Sequence, residues 1–527
     1  MMANNPKHGN YVDLEVLEAF NQQISNISEV LPPAVFPSLA GLKNHPTLKE
    51  IEIGNVREIF TIDLKSYDYL FRELLEDPDN RLHNTPEVVQ ALKNLGAAMS
   101  EKNDAPDGDS EIPSAYTYLG QFIDHDITLE AASNDIAHAS FGSLFFEPIA
   151  PAELRKKLKN TRSGSLDLDS IYEGGKLKNG SLELGNVSYP AQRPPHKTDA
   201  NDLPRKLNGS LTAEIGDPRN DENTVIAQLH VAFLKFHNAV MTKRGVDFSA
   251  AQKIVRQHYQ WIVLHDFLVK ICDPEIVDQI LREGNKIYDP TDENFFIPIE
   301  FTAAAYRFGH SMVREVYHFN SLHTSTSLVH LFRFSGSGGD MGGYPSLPAD
   351  WIIEWDRFLP FETGMPNKAR RINTRLASVL ENLAGPGTGG IFQFLAKRNL
   401  LRGYLLSLPT GQALARQVLG NSGVLSSTAI LDNATEVEKV ALQSAELHIK
   451  TPLWYYILSE ASIQNGGMHL GQLGSTIVAE TIIGLIRRSA DSILKEVNWK
   501  PSLGEEFNLE QMIQYADLGP GQGEDVT

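Results

Sequence analysis

Gln121, Asp124 and His125 fall at i, i+3 and i+4 in the run Gly120-Gln-Phe-Ile-Asp-His-Asp126, so on a helix all three project from one face. Polar groups on one face of an otherwise apolar turn need partners or a task. Histidine, with an ordinary pKa near 6.5, is suited to moving protons at neutral pH. Asp126 is turned about 100° from His125 by the 3.6-residue repeat and must serve something else.

Four further segments carry chemistry-bearing side chains. Gly216-Asp-Pro-Arg-Asn-Asp-Glu222 sets Arg219 and Glu222 at i and i+3. An arginine there keeps its charge at any relevant pH and can stabilise negative charge building on a departing oxygen. An exposed Arg–Glu pair would give the same spacing and do little. Ser163-Gly-Ser-Leu-Asp-Leu-Asp-Ser-Ile-Tyr172 alternates Ser163, Ser165, Asp167 and Asp169. Ala303-Ala-Ala-Tyr-Arg-Phe-Gly-His310 reads as a packed helix ending on a histidine. Asn399-Leu-Leu-Arg402 precedes Leu408-Pro409. A lone helical histidine is more often a satisfied core residue than a ligand, and His230 and His237, which share a helix face, are read that way.

Taken together and in their order along the chain, the five segments resemble the animal haem peroxidases of the peroxidase–cyclooxygenase superfamily, here a bacterial member, over residues 121–402. The resemblance implies haem b between His125, the distal base, and His310, the axial ligand of the iron. His125 would move a proton between the two oxygens of hydrogen peroxide, Arg219 would stabilise the leaving oxygen, and Gln121 would orient water or a halide. Asp124 and Glu222 would form esters with the haem. Arg307 and Arg402 would pair with its propionates, and Asn399 would accept from the second nitrogen of His310. The serine–aspartate run resembles the family's calcium loop, with Asp126, Ser163, Ser165, Asp167 and Asp169 as ligands to Ca2+, which takes six to eight oxygens. Asn223 stands where some members carry a methionine bonded to a haem vinyl group. Asparagine cannot make that bond, so the ester-only members are the better comparison.

The implied activity is reduction of hydrogen peroxide with oxidation of halide, thiocyanate or small phenolic donors. One alternative is a fatty-acid dioxygenase of the cyclooxygenase-like branch. Those relatives place a radical-forming tyrosine three residues before the proximal histidine, where this chain has Arg307, with Tyr306 one position earlier. A catalytically silent peroxidase-like binding module is the other alternative.

The elements that must position these groups are mostly helical. Apolar periodicity marks helices within 66–100, from about Pro113 to Glu130, over 217–241 with Asp217 as N-cap and Pro218 at the first position, and over 248–284 and 300–316. Residues 150–215 read as a long, mostly irregular excursion, Ser335–Tyr344 and Ala384–Gly390 as Gly-rich loops, and the acidic end from Gly519 as a flexible tail. The expected class is mainly α, with residues 1–100 an extension packed on the core, 101–515 the haem peroxidase domain and 516–527 a tail.

Bulk properties narrow the function further. Of the 527 residues, 42% are hydrophobic, enough for a large core, and the net charge of −19 disfavours nucleic acid or an anionic membrane surface as partner. The single cysteine, Cys272, excludes an intrachain disulfide, a Cys-rich zinc site and thioether haem attachment. There is no apolar run long enough to span a membrane and no visible signal peptide, so the expected location is cytoplasmic, or exported by another route.

Overall fold

Asn223 turns its side chain onto the Ile226 amide at 3.0 Å and so starts the longest helix among the described residues, Thr224–Arg244, which ends at Gly245 with a left-handed φ of 63°. This helix is apolar on nearly every side and lies in the middle of the core, as an all-round apolar helix must. The computed structural model describes residues 64–101, 108–132, 147–189, 200–206, 210–362, 364–381 and 394–520, together with backbone strands at Val12–Asp13, Glu50–Ile53 and Val56–Ile59. The expected loop Ala384–Gly390 and the chain beyond 520 lie outside them.

Helices of ten or more residues are α1 Pro86–Ala98, α2 Ala115–Ile127, α3 Thr224–Arg244, α4 Phe248–Ile262, α5 Pro274–Glu283, α6 Leu395–Leu405, α7 Leu453–Asn465 and α8 Gln472–Arg488. The fold is mainly α. Its largest sheet is small and mixed, with strands β1 Val12–Asp13, β2 Lys65–Asp68, β3 Glu130–Ala132, β4 Leu158–Asn160 and β5 Ile297–Pro298 in the order β1-β3-β4-β2-β5. The pairs β1–β3 and β2–β5 are parallel, whereas β3–β4 and β2–β4 are antiparallel.

Packing fixes where α2 sits. Phe122 stacks on Phe233 of α3 with ring centres 4.6 Å apart and meets the edge of Tyr259 of α4 at 6.3 Å. Gly120 admits Phe267, whose ring would lie 3.4 Å from a Cβ at that position. Phe267 is brought there by a wide π-turn, Val263–Phe267, that follows α4. The same turn carries Asp266, which accepts from the Tyr116 hydroxyl of α2 at 2.8 Å and from Lys270 at 2.5 Å.

Three expectations are corrected by local geometry. The helix expected to start at Asp217 is two elements: Asp217 caps a 3-10 turn, Pro218–Asp221, and Asn223 caps α3. The helix expected over 300–316 breaks at Ala304 (φ −138°, ψ −70°), with Ile299–Ala303 α-helical before it and Ala305–Met312 a 3-10 helix after it. The excursion 150–215 holds short elements, among them Leu154–Lys157, β4, Asp169–Tyr172 and a hairpin at Leu177–Lys178 and Ser181–Leu182.

Two buried glutamates hold chain turns. Glu300 accepts from the Leu70 amide at 3.0 Å and Glu460 from the amides of Leu473 and Gly474 at 3.0 Å each. Burial pushes Glu300 up to about 8 and Glu460 up to about 7, against an ordinary value of 4.5. Between pH 4.5 and 8 these two carboxyls bind protons in the folded chain that they release in the unfolded one, so their contribution to stability falls as pH rises, while histidines kept neutral by burial, such as His125 and His230, contribute in the opposite sense up to about pH 6.5. We expect Glu300→Gln and Glu460→Gln each to gain stability relative to the parent protein between pH 5 and pH 8, by an amount on the order of 1–3 kcal/mol. Calorimetry across the pH series checks it, and unchanged profiles in both variants would contradict the assignment.

Candidate functional site

His125 is fully buried on α2, and its Nδ1 lies 2.7 Å from Oδ1 of Asn220. An amide oxygen only accepts, so with this orientation the imidazole proton sits on Nδ1 and Nε2 carries the lone pair. Asn220 Nδ2 in turn donates to Nδ1 of His230 on α3 at 3.0 Å. Burial, reinforced by the charge of Arg219, lowers the His125 pKa to about 3, well below the value near 6.5 expected from the sequence. The imidazole is therefore neutral across the physiological range and available as a base. Asn220 escaped the sequence reading because it lies between the motif positions Arg219 and Glu222. The only signal was a buried-type polar residue on the turn that faces α2.

Arg219 lies beneath the C-terminal turn of α2. Its guanidinium bonds Asp217 (Nε–Oδ1 3.0 Å, Nη2–Oδ2 2.8 Å) and the carbonyls of His125, at 3.3 Å, and Thr128. Arg162 completes the network, with Nη2 at 2.5 Å from Asp217 Oδ2. Burial alone would raise the Asp217 carboxyl, but the two guanidiniums overcome it and hold it well below the carboxylate range. Gln121 Nε2 donates to Glu222, and Asn223 Nδ2 to Gln121 Oε1 at 3.3 Å. Asp124, beside Thr128, is raised by burial and partly offset by Arg219 and Arg307, so it lies within the fields of both the α2 side and the His310 side.

On the second side the 3-10 helix matters. With three residues per turn, Arg307 and His310 eclipse, and both reach Asn399 of α6: Arg307 Nη1 donates to Oδ1 at 3.3 Å and the amide nitrogen lies 2.9 Å from His310 Nδ1. A half-turn of that amide would exchange its oxygen and nitrogen. A metal on Nε2 requires Nδ1–H to donate, so it selects the turned amide and releases Arg307 from Asn399. Burial, then Arg307 and Arg398, hold His310 well below the usual imidazole range. Trp454 of α7 pins the turn by donating to the Arg307 carbonyl at 3.1 Å. Tyr306 points elsewhere, stacking on Phe301 at 4.7 Å. Arg402, also on α6, is paired with Glu130.

The serine–aspartate loop is gathered under α2. Asp126 Oδ2 accepts from the Leu168 amide at 3.2 Å, Asp169 Oδ2 from the Ser163 amide at 2.8 Å and Asp167 Oδ1 from Ser489 at 2.5 Å. Ser165 Oγ and the Ser163 carbonyl accept from Arg488 of α8 at 2.9 and 3.0 Å. Burial, then Asp169 and Asp167, push Asp126 well above the carboxylate range. The donor types suit calcium. Among the described residues no group of three or more His, Cys, Asp or Glu side chains is disposed to hold a metal ion.

The two histidine sides fit a flat, buried cofactor. α2 packs on Ala305–Met312. Asp124 and His310 are dominated by burial, yet both keep accessible surface, as do Gln121, Arg307 and Gly309. A Cβ at Gly309 would meet no atom within 4 Å.

The Asp217 network yields one stability test. Asp217→Asn leaves Arg162 and Arg219 without their shared counter-charge. We expect a loss of about 3–5 kcal/mol in chemical denaturation, the range for breaking a buried ion pair from one side. A loss below about 1 kcal/mol would show that the network is not what holds this turn.

Residues 155–335 match the family model described as animal haem peroxidase, a stretch that contains the serine–aspartate loop, Arg219 and His310 but neither His125 nor Asn399. The chain is 26% identical over 286 residues to peroxidase skpo-1 of Caenorhabditis elegans (48% of this chain, 40% of that one) and 29% identical over 144 residues to thyroid peroxidase of Canis lupus familiaris (25% and 15%). It thus spans less than half the length of these relatives. In fold it is similar to peroxidase A of Dictyostelium discoideum, with TM-score 0.58 and 17% identity over 87% of this chain and 95% of that one. A second neighbour is the fatty acid alpha-dioxygenase of Oryza sativa, with TM-score 0.51 and 12% identity over 90% and 80%. Over residues 155–335 the sequence thus matches the animal haem peroxidase family, and the fold is one shared with a peroxidase and an alpha-dioxygenase.

Proposed function

We propose that this protein is a haem peroxidase that reduces hydrogen peroxide and oxidises halide, thiocyanate or small phenolic donors. One observation carries the reading. Two histidines, His125 buried and His310 partly buried, on elements packed against each other, each hold Nδ1 against an asparagine amide, at 2.7 Å for His125 and 2.9 Å for His310. The Asn220 contact leaves Nε2 of His125 basic for proton transfer, and iron on Nε2 of His310 would take the Asn399 amide turned so that its oxygen accepts from Nδ1.

When bound, haem would supply the redox chemistry of O–O cleavage. His310 would hold it through Nε2, with Asn399 accepting from Nδ1. Arg307 and Arg402 are the partners for its carboxylates, Arg402 after exchanging Glu130. Asp124 and Glu222 are the carboxylates proposed to tie it through esters. His125 takes a proton from the near oxygen of peroxide at Nε2 and returns it to the far one. Arg219, expected from the sequence to stabilise the leaving oxygen, has its guanidinium on Asp217 and on the carbonyls of His125 and Thr128, so its support for the reading is that it holds the end of α2 and biases His125 toward its neutral form. Gln121, fixed by Glu222 and Asn223, is set to orient a water or halide. Calcium at Asp126, Ser163, Ser165, Asp167 and Asp169 would relieve the mutual repulsion of the three carboxylates.

A fatty-acid dioxygenase is the second reading, favoured by the fold of the alpha-dioxygenases. The 3-10 helix opposes it. Tyr306 lies about 120° round from His310 in a three-residue turn, and the eclipsed position belongs to Arg307.

Purified holoprotein is expected to show a histidine-ligated ferric haem spectrum that changes on adding peroxide and returns on adding iodide, bromide, thiocyanate or a phenol. His310→Ala and Gly309→Leu should both lose most bound haem, the second by filling the open space beside the ligand. His125→Ala should keep haem and slow peroxide consumption by about 10²–10⁴-fold, the usual range for a general base. A spectrum indifferent to peroxide, with oxygen uptake on linoleate or arachidonate, would favour the dioxygenase instead. Chelation should release calcium and loosen α2; metal-free protein of full activity and stability would remove the ion from the reading.

A further inference from the structure

We propose that Asn220, braced by His230, is a positioning residue that fixes the tautomer and ring orientation of His125. This rests on the peroxidase reading and deepens it.

The geometry is a three-member chain in the core. His125 Nδ1 lies 2.7 Å from Asn220 Oδ1, and Asn220 Nδ2 lies 3.0 Å from His230 Nδ1. The three side chains are 0%, 0% and 1% exposed. Asn220 comes from the 3-10 turn Pro218–Asp221 and His230 from the second turn of α3, so two elements converge on a ring carried by α2.

An amide has one accepting and one donating end, so the chain has two self-consistent polarities. With Oδ1 toward His125, that ring is protonated on Nδ1 and basic at Nε2. His230 is then protonated on Nε2, a buried atom without a hydrogen-bond partner among the described residues. With the amide reversed, His125 would carry its proton on Nε2 and could not accept one there. Each ring's protonation is thus tied to the other's through the amide, and the native orientation selects the catalytically competent tautomer. The packing supports the register: Phe122, three residues before His125, places its ring edge-on to His230 at 6.2 Å. Arg219, Asp217 and Arg162 act on His125 electrostatically, while Asn220 meets its Nδ1 directly at 2.7 Å, the contact by which the tautomer is set in this proposal.

The test uses 15N-histidine NMR on haem-loaded protein in its diamagnetic ferrous carbon monoxide form, with His125 assigned by a His125→Gln difference spectrum. Wild-type His125 should be protonated on Nδ1; protonation on Nε2 would overturn the proposal outright. Asn220→Leu, of similar size, should give mixed tautomers and slow peroxide consumption about 10–100-fold with haem content unchanged, a fraction of the loss on removing the base. Asn220→Asp accepts but cannot donate, so it should restore Nδ1 protonation and most of the rate; a merely structural role predicts no such rescue. An Asn220→Leu protein with pure Nδ1 protonation and the native rate would overturn the proposal while the peroxidase reading stands. Should Asn220→Leu not fold, the wild-type and Asn220→Asp spectra decide. Haem-loaded wild type that consumes no peroxide would sink the peroxidase reading, and the tautomer would then be judged on the spectra alone.

Discussion

A buried imidazole can serve chemistry only if something decides which of its nitrogens keeps the proton. In this protein an asparagine amide meets Nδ1 of each central histidine, Asn220 for His125 and Asn399 for His310. An amide is neutral, so neither ring gains the stabilisation of its charged form that a carboxylate would give. Burial then dominates, and both histidines are driven toward the neutral state. The surrounding architecture serves these contacts. α3 and the 3-10 turn before it carry one amide and its brace, α6 carries the other, and α7 holds the His310 turn through Trp454.

The second constraint is the unequal treatment of buried arginines on the two sides. Arg162 and Arg219 share Asp217 and form a closed, fully buried unit under α2. Arg307 and Arg402 bond to an amide oxygen and to Glu130, partners that an incoming anion can replace. A closed ion pair fixes geometry, and exchangeable partners accept a ligand. On the proposed reading, closed ion pairs hold the His125 side, and the His310 side offers arginines whose partners an anionic cofactor could replace.

Much of this was legible in the sequence, and the remainder failed for identifiable reasons. Gln121, Asp124 and His125 share a face because α2 is a regular α-helix, so the 3.6-residue rule places them. The same rule misplaces Arg307, Tyr306 and His310. A 3-10 helix of eight residues differs from an α-helix by a cumulative rotation that no apolar pattern of that length resolves. Asp217 and Asn223 are both good N-caps, and only the tertiary fold decides that the first caps a short turn and the second the long helix. The π-turn at Val263–Phe267, which delivers Phe267 to Gly120, has no sequence signature in the flanking helix. Asn220 was invisible because its role depends on two partners 95 and 10 residues away. The depressed pKa of His125 was missed because burial is a tertiary quantity.

The balance of buried charge explains why α2 needs support from below as well as from the side. Asp217 is answered by two guanidiniums, so its carboxylate is stable deep in the core. Asp126 has the opposite environment: Arg162 helps it only weakly, while Asp169 and Asp167 repel it. The arginines nearest the loop, Arg256 and Arg488, are spent on carbonyl and hydroxyl oxygens of residues 163–167 rather than on the carboxylate of Asp126. A fully buried carboxylate with like-charged neighbours has two stable outcomes: it keeps a proton, or it shares a cation with those neighbours. Asp126 adjoins His125 in the chain and is turned about 100° from it, so either outcome acts on the same helical turn that carries the imidazole. Arg219 ties the carbonyl of His125 from one side. The Leu168 amide ties Asp126 from the other. The histidine sits between them, and its Nδ1 contact with Asn220 is only as exact as the turn those two anchors hold.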